Sequence, residues 1–180
     1  MKRVLASIAA LWFLCTPAKA ALDVGARAPD FAAAAVLAGK PFSFSLASTL
    51  AKGPVVLYFF PAAFTQGCTI EAHDFAEATP KFAALGASVV GVSTDDIEKL
   101  SQFSVQACQS KFPLASDAGK TIIKAYDAAM TVRPDHANRI SYVIAPNGSV
   151  LYTYVSLNPD KHVEKTLDAL RQWQQAGQNK

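Results

Sequence analysis

The segment VVLYFFPAAFTQGCTIE, residues 55–71, decides the fold of this chain. Its first part, Val55 to Phe60, is an unbroken apolar run, which is typical of a central strand buried on both faces. Pro61 ends the run, and a helix is predicted from about Gly67. Cys68 therefore lies in the first helical turn after a buried strand. Unpaired backbone N–H groups and the helix dipole favour a thiolate there, so Cys68 is the candidate nucleophile.

The residues around Cys68 carry a recognisable pattern. Pro61, Thr65 and Cys68 satisfy P-x-x-x-T-x-x-C, which resembles the peroxiredoxin signature. Gly67 to Glu71 is more narrowly similar to the PrxQ-like branch, that of the bacterioferritin-comigratory proteins, within the AhpC/TSA superfamily. Similar segments follow in order over nearly the whole chain after residue 21, namely Val24-Gly25, Ala28 to Phe31, Val92 to Asp95, Phe112 to Asp117 and Arg139 to Ile144.

This resemblance implies an α/β protein with a thioredoxin-like fold and an N-terminal β-hairpin extension. It also implies a thiol-dependent peroxidase that reduces hydrogen peroxide and organic hydroperoxides, with Cys68 as the peroxidatic cysteine. Thr65 would hydrogen-bond the sulfur and the substrate, and Pro61 would shield the sulfur from water and over-oxidation. Arg139 matches the family's arginine, whose guanidinium would stabilise the thiolate and contact the peroxide, and Glu71 would orient Arg139.

Two assignments stay open at this point. Arg133 is the second candidate for the cation, because Pro134 follows it in a predicted loop. Proteins of the PrxQ-like branch often carry a resolving cysteine five residues after the nucleophile, where this chain has His73. Cys108 falls in the next predicted helix, a location that some members use for resolution, so an atypical two-cysteine mechanism is expected. The alternative is a buried spectator cysteine, since a free thiol behaves as a small apolar side chain.

The alternative function is a thioredoxin-fold copper- or partner-binding module without peroxidase activity. Neither a cofactor nor a metal site is expected, because His73, His136 and His162 are scattered without ligand spacing. Thr65 also stands where the first cysteine of a C-x-x-C oxidoreductase would be. The expected partners of a peroxidase are a hydroperoxide and an external dithiol reductant, thioredoxin-like or another thiol, and the protein is expected to be a monomer or a weak homodimer.

Residues 1–20 have the pattern of a cleaved signal peptide. Lys2 and Arg3 precede a short apolar stretch, and Ala18 to Ala20 fits a cleavage site. The sequence therefore predicts one domain over residues 21–180 in a periplasmic or otherwise secreted protein. The segment holds three of the 17 basic residues and none of the 14 acidic ones, so the mature chain is formally neutral. This balance gives no support for a nucleic-acid or membrane partner.

Alternating strand and helix signals predict one α/β layer arrangement after the signal segment. The N-terminal hairpin is predicted over residues 31–46 and the second buried strand over Ser88 to Ser93. The helix from about residue 67 to 84 contains Pro80 and should kink or split there. Asp95 and Glu98 resemble a capping box that opens a helix through about Ser110. The remaining predicted elements are a strand over Phe112 to Ala115, a helix over Lys120 to Ala128, a hairpin over Tyr142 to Ile144 and Val150 to Val155, and a helix over His162 to Gln175.

Overall fold

A computed structural model describes residues 21–178, and the predicted signal peptide lies outside these residues. The strands are β1 (Ala32–Leu37), β2 (Lys40–Ser45), β3 (Val55–Phe59), β4 (Ser88–Ser93), β5 (Leu114–Ser116), β6 (Ala129–Met130), β7 (Arg133–Ala137), β8 (Ile140–Ile144) and β9 (Val150–Val155). The α-helices are α1 (Leu46–Leu50), α2 (Gln66–Ala84), α3 (Ile97–Gln106), α4 (Thr121–Ala125) and α5 (His162–Gln178), with a 3-10 turn at Pro159–Lys161 before α5.

Seven strands form one mixed sheet in the order β2-β1-β5-β4-β3-β8-β9, and β6 pairs with β7 in a small separate ribbon. β3, β4 and β5 are parallel, β8 runs antiparallel beside β3, and β9 runs antiparallel beside β8. β1 and β2 form the predicted N-terminal hairpin and attach to β5. The α/β arrangement with a hairpin extension is therefore present as expected.

The unbroken apolar run of β3 arises because both faces of the sheet are covered. Val56, Tyr58 and Phe60 pack with the α2, α3 and α5 side, whereas Val55, Leu57 and Phe59 pack with the α1 and α4 side. Successive strand side chains point to opposite faces, so a strand covered on both sides has no polar alternation. This burial fixes the end of β3, where the candidate site begins.

Several predicted boundaries are wrong, for identifiable reasons. α2 continues from Gln66 to Ala84 without splitting at Pro80, since Phe75 and Phe82 are fully buried on either side of the proline and hold the helix against the sheet. Asp96, not Asp95, caps α3, accepting a hydrogen bond from the Lys99 backbone N–H at 2.7 Å. The sequence signals also gave no indication of α1 or of the β6–β7 ribbon.

The ends of three short elements also differ from the predictions. α3 ends at Gln106, not near Ser110, so Cys108 follows the helix instead of lying within it. β5 covers Leu114–Ser116 and α4 only Thr121–Ala125. Across residues 21–178, the structure contains no helix that is both long and apolar enough to cross a membrane.

Candidate active site

Cys68 lies in the first turn of α2, as the third helical residue. β3 ends at Phe59, and the bend that starts at Pro61 turns the chain into the helix. The thiol is 1% exposed, so it is enclosed by protein although it sits at a helix start. The first-turn N–H groups have no partner within the helix, and the dipole there favours negative charge on the sulfur.

The Arg139 guanidinium lies against the Cys68 sulfur. Nη2 donates to Sγ at 3.5 Å, Nη1 forms an ion pair with Glu71, and Nε donates to the Leu157 carbonyl at 3.0 Å. Burial by itself lowers the pKa of Arg139, but the neighbouring Glu71 and Cys68 outweigh burial and the net pKa is raised. Arg139 is therefore a fixed positive charge with three directed contacts in a water-poor site.

The sheet register explains why Arg139 reaches Cys68. β8 pairs antiparallel with β3, with Ile140 opposite Phe59, so the residue before β8 lies beside the end of β3. Gly67 then allows the close approach, because a Cβ at that position would lie 3.1 Å from Arg139 Nη2. The contact between Arg139 and Cys68 therefore depends on the β3–β8 register and on the absence of a side chain at Gly67.

Arg133, the rival cation, lies elsewhere. It is an exposed residue of β7, and its Nη2 is 3.0 Å from His136 Nε2. The structure therefore brings Arg139, and not Arg133, to the sulfur.

Glu71 lies one helical turn after Cys68 and is fully buried. Its Oε2 accepts from Arg139, whereas its Oε1 has no hydrogen-bond partner within the described residues. Burial raises the pKa of Glu71 to about 8, although the Arg139 charge and hydrogen bond act in the opposite direction. If Glu71 is protonated at neutral pH, its carboxyl does not neutralise the positive charge of Arg139.

His162 joins this cluster, which the sequence reasoning missed. Its Nδ1 lies 3.5 Å from Glu71 Oε1 and 2.8 Å from Ser141 Oγ, and its Nε2 lies 2.9 Å from the Ser156 carbonyl oxygen. Burial lowers the pKa of His162 to about 4. A usable signal existed in the sequence, because His162, Thr166 and Leu170 recur every four residues on one stripe of α5, and all three are buried.

Thr65 and Pro61 flank the cysteine in the connecting loop. The Thr65 hydroxyl donates to the Ala62 carbonyl at 3.0 Å, and Thr65 is the N-cap residue of α2 without a side-chain capping bond. The Thr65 hydroxyl therefore bonds to a loop carbonyl. Among the described residues it forms a hydrogen bond neither with the Cys68 sulfur nor with a backbone N–H of the first turn of α2. Pro61 is a half-buried bend residue directly after β3 and Phe60.

The loop between β3 and α2 is also held by contacts with Asp95, which follows β4, and with α3. Asp95 accepts from the Ala63 backbone N–H at 2.7 Å and pairs with Lys99 at 2.6 Å. Phe64 has a left-handed backbone, with φ of 67°, and its ring meets Phe103 edge-on at 5.1 Å. A non-glycine residue in this conformation is strained, so these contacts hold the loop in a shape that it would not adopt alone.

Cys108 lies in the turn after α3. It is fully buried as a free thiol, and burial raises its pKa. The next two residues, Gln109 and Ser110, both have left-handed backbones. The Gln109 amide nitrogen lies 3.0 Å from His73 Nδ1 and 2.8 Å from Glu77 Oε1, so this turn is fastened to α2.

Comparison with known proteins identifies the class. Residues 24–153 match the AhpC/TSA family. The chain is 36% identical over 135 residues to the chloroplastic peroxiredoxin Q of Sedum lineare, covering 74% of this chain and 70% of that protein. It is 36% identical over 119 residues to the chloroplastic peroxiredoxin Q of Oryza sativa subsp. japonica, covering 66% of this chain but only 54% of that protein, about half its length.

A solved structure agrees with these relatives. Peroxidoxin BcpB from Mycobacterium tuberculosis is 33% identical and superimposes with a TM-score of 0.75, over 83% of this chain and 96% of that chain. The chain therefore belongs to the peroxiredoxins of the AhpC/TSA family, and the predicted resemblance and thioredoxin-like fold are confirmed.

The alternative of a copper- or partner-binding module is not favoured by these relatives. Within residues 21–178, no group of three or more His, Cys, Asp or Glu side chains is placed to hold a metal ion.

Proposed function

We propose that this protein is a thiol-dependent peroxidase that reduces hydrogen peroxide and organic hydroperoxides. One observation carries the proposal: the buried Arg139 guanidinium joins the Cys68 sulfur, at the start of α2, to Glu71. A cation and a helix start together stabilise a thiolate, which is the attacking form of cysteine. The same guanidinium, held beside the sulfur, would also stabilise the negative charge that develops on a departing oxygen.

The first step oxidises the sulfur. The Cys68 thiolate attacks the terminal oxygen of R–O–O–H, the O–O bond breaks, and the departing R–O⁻ takes up a proton to leave as an alcohol or as water. Sulfur loses two electrons, the peroxide gains them, and Cys68 becomes a sulfenic acid. Thr65, as a hydroxyl beside the helix start, would bind the peroxide, and Pro61 would limit access of water to the sulfur.

Resolution by Cys108 is the second step of the proposal. The Cys108 thiol condenses with the Cys68 sulfenic acid, forming a disulfide and releasing one water. An external dithiol then reduces this disulfide by exchange and becomes oxidised itself. Cys108 must first leave its buried position, and the left-handed backbones of Gln109 and Ser110 are strain that opening of this turn would release.

Mass spectrometry after one equivalent of peroxide tests both steps. The reduced protein should lose two hydrogens, remain a monomer, and yield a peptide that cross-links Cys68 to Cys108. The matched Cys108→Ser protein should instead gain one oxygen at Cys68, and excess peroxide should convert it to sulfinic acid. A persistent sulfenic acid in the unmutated protein, with Cys108 still open to alkylation, would rule out resolution by Cys108.

Export is also a proposal, supported by the signal-peptide pattern of residues 1–20. Expression of the full chain in a Gram-negative host should give a periplasmic protein whose N-terminus is Ala21. A cytoplasmic protein that retains Met1 would contradict it. We further propose a monomer or weak homodimer, which light scattering over a concentration series would test.

A further inference from the structure

Gln109 connects the turn that carries Cys108 to the helix that carries Cys68. Its side-chain nitrogen lies 3.0 Å from His73 Nδ1 and 2.8 Å from Glu77 Oε1, and both partners belong to α2. His73 follows Cys68 by five positions, and Gln109 directly follows Cys108. These contacts therefore join the two segments whose sulfurs must meet in the proposed resolution step, and the peroxidase chemistry described above gives His73 no role.

The two contacts fix both the orientation of the amide and the protonation of the imidazole. A carboxylate oxygen of Glu77 only accepts hydrogen bonds, so the Gln109 atom that faces it is the amide nitrogen. This nitrogen only donates, so the His73 nitrogen that faces it must accept. The arrangement therefore requires a neutral His73 with its ring hydrogen on Nε2. Each of the two amide hydrogens of Gln109 then has one partner on α2.

A protonated His73 cannot keep this arrangement. Both nitrogens of an imidazolium carry hydrogens, so Nδ1–H would face an N–H of Gln109. Turning the amide over would offer its oxygen to Nδ1–H, but it would set the same oxygen against the Glu77 carboxylate. The imidazolium also attracts Glu77, which lies four positions later on the same helix face. Gln109 therefore keeps at most one of its two contacts with α2 when His73 is charged.

The charged neighbours of His73 are mostly acidic, and the ring is exposed to solvent. On α2 they are Asp74 and Glu77. Burial raises the pKa of Asp74, whereas His73 acts in the opposite direction, and Asp160 of the 3-10 turn raises this pKa further. The charged residue of the turn after α3 is Lys111, which is exposed. Histidine side chains change charge between about pH 5 and 8, so the contact can respond within that range.

We propose that His73 is a positioning residue for the resolving cysteine: the neutral ring holds the Cys108 turn against α2, and protonation of the ring releases that turn. The turn is already strained, since Gln109 and Ser110 have left-handed backbones. Loss of one contact with α2 therefore raises the population of the open turn, in which the Cys108 thiol can reach Cys68. The proposal rests on the proposed function, in which Cys108 condenses with the Cys68 sulfenic acid to give a disulfide and water.

The first test measures how fast Cys108 becomes accessible in a Cys68→Ser background. The reagent is 4,4′-dithiodipyridine, an aromatic disulfide that reacts with thiols below neutral pH, and peptide mass spectrometry follows the reaction at Cys108. His73→Asn is the matched variant, because the asparagine oxygen can accept from Gln109 near the position of Nδ1 but does not titrate. The ratio of the rate with His73 to the rate with His73→Asn cancels the pH dependence of the reagent and of the thiol.

This ratio should be constant above the pH at which His73 titrates. It should rise about threefold as the pH falls through that titration, an effect in the lower part of the range for one lost hydrogen bond. NMR of the His73 ring in the same protein locates the titration. A ratio that does not change with pH, or that changes at a pH where His73 does not titrate, would overturn the proposal.

Two control variants separate this effect from a packing role. His73→Phe removes the acceptor without adding a charge, so its rate should exceed that of His73→Asn by about threefold at every pH. His136→Asn changes a histidine of β7 and should leave the pH-dependent rise in place. A merely structural role of His73 would change the rate by the same factor at every pH and would likewise contradict the proposal.

A second test uses the protein with both thiols. After one equivalent of peroxide, the ratio of disulfide-formation rates, His73 over His73→Asn, should show the same rise at low pH. Disulfide formation with a pH-independent ratio would overturn the role of His73 and leave the proposed peroxidase function intact. If no disulfide forms while the accessibility of Cys108 still follows the His73 titration, the proposed resolution step fails and control of the turn by His73 is supported.

Discussion

Cys68 and Cys108 are both buried free thiols in the same hydrophobic cluster, yet their surroundings differ in one decisive way. Cys68 sits in the first turn of α2 with the Arg139 guanidinium on its sulfur. Cys108 follows the end of α3, and burial raises its pKa without any cause that acts in the opposite direction. The comparison separates two influences on a buried thiol: burial disfavours the thiolate, whereas a helix start and a neighbouring cation favour it.

The largest expected difference concerns the first reaction with peroxide. Cys68→Ser should abolish dithiol-dependent peroxide consumption, because Cys68 is the one thiol within residues 21–178 that has a cation beside it, whereas Cys108→Ser should leave the rate of the first step unchanged. Stopped-flow kinetics on the reduced proteins measures both. Substantial activity in Cys68→Ser would mean that the nucleophile is wrongly assigned.

Glu71, one turn after Cys68, should make the free energy of unfolding fall as the pH rises above about 6.5. The described surroundings of Cys108 contain no such carboxyl, so no such fall is expected from them. Between its ordinary pKa of 4.5 and its folded value of about 8, Glu71 keeps a proton that the unfolded chain releases, so stability falls as pH rises. His162 acts oppositely below its ordinary value of 6.5 and down to about 4, because there the unfolded chain binds the extra proton. The Glu71 and His162 contributions to the pH dependence of stability cancel from about pH 4.5 to 6.5. Between about pH 6.5 and 8, only the Glu71 contribution remains.

Urea unfolding in a Cys68→Ser background isolates this effect from thiol titration. The free energy of unfolding should fall by about 2 kcal/mol between pH 6.5 and 8, since one proton corresponds to about 1.4 kcal/mol per pH unit. Glu71→Gln in the same background should not show this loss. Identical slopes with and without Glu71 would mean that the carboxyl is already ionised at pH 6.5.

The next effect separates the two arginines. Arg139→Ala should slow the first peroxide reaction by more than about tenfold, because the thiolate and the departing oxygen lose their cation. Arg133→Ala is the matched control, since Arg133 is exposed and bonded to His136 instead of to the sulfur. Stopped-flow rates at one pH decide between them. A near-normal rate for Arg139→Ala would assign the stabilisation to the backbone donors of α2.

The sequence predicted best what depends on local signals. The apolar run of β3, the proline after it and the helix after that place Cys68 correctly, because strand burial and helix starts leave marks within a few residues. Gly86 follows the end of α2 with a left-handed backbone, and the Ala87 N–H donates to the Phe82 carbonyl at 2.9 Å, a helix end that a glycine typically marks. The position of Arg139 was available only through the family resemblance.

What could not be predicted depends on contacts between distant segments. Arg139 meets Glu71 across 68 positions, and only the β3–β8 register brings them together. The spacing of His162 with Thr166 and Leu170 indicates a buried face of α5, but it does not specify Glu71 or Ser141 as the neighbours of His162. The sequence predicts the end of α3 too late. Gln109 and Ser110 have left-handed backbones that stop the helix, and no glycine or proline marks this position in the sequence.

The smallest expected effect concerns how firmly Cys108 is held. The Gln109 amide bonds both His73 and Glu77 of α2, and it fastens a turn whose two left-handed residues favour opening. Gln109→Ala removes these partly exposed hydrogen bonds, which are together worth about 1 kcal/mol, so the opened turn should become roughly fivefold more populated. In the Cys68→Ser background, alkylation of Cys108 should accelerate by that factor. Gln106→Ala, an exposed glutamine at the end of α3, is the control. Equal rates for the two variants would show that Cys108 is exposed by a larger unfolding event than the opening of this turn.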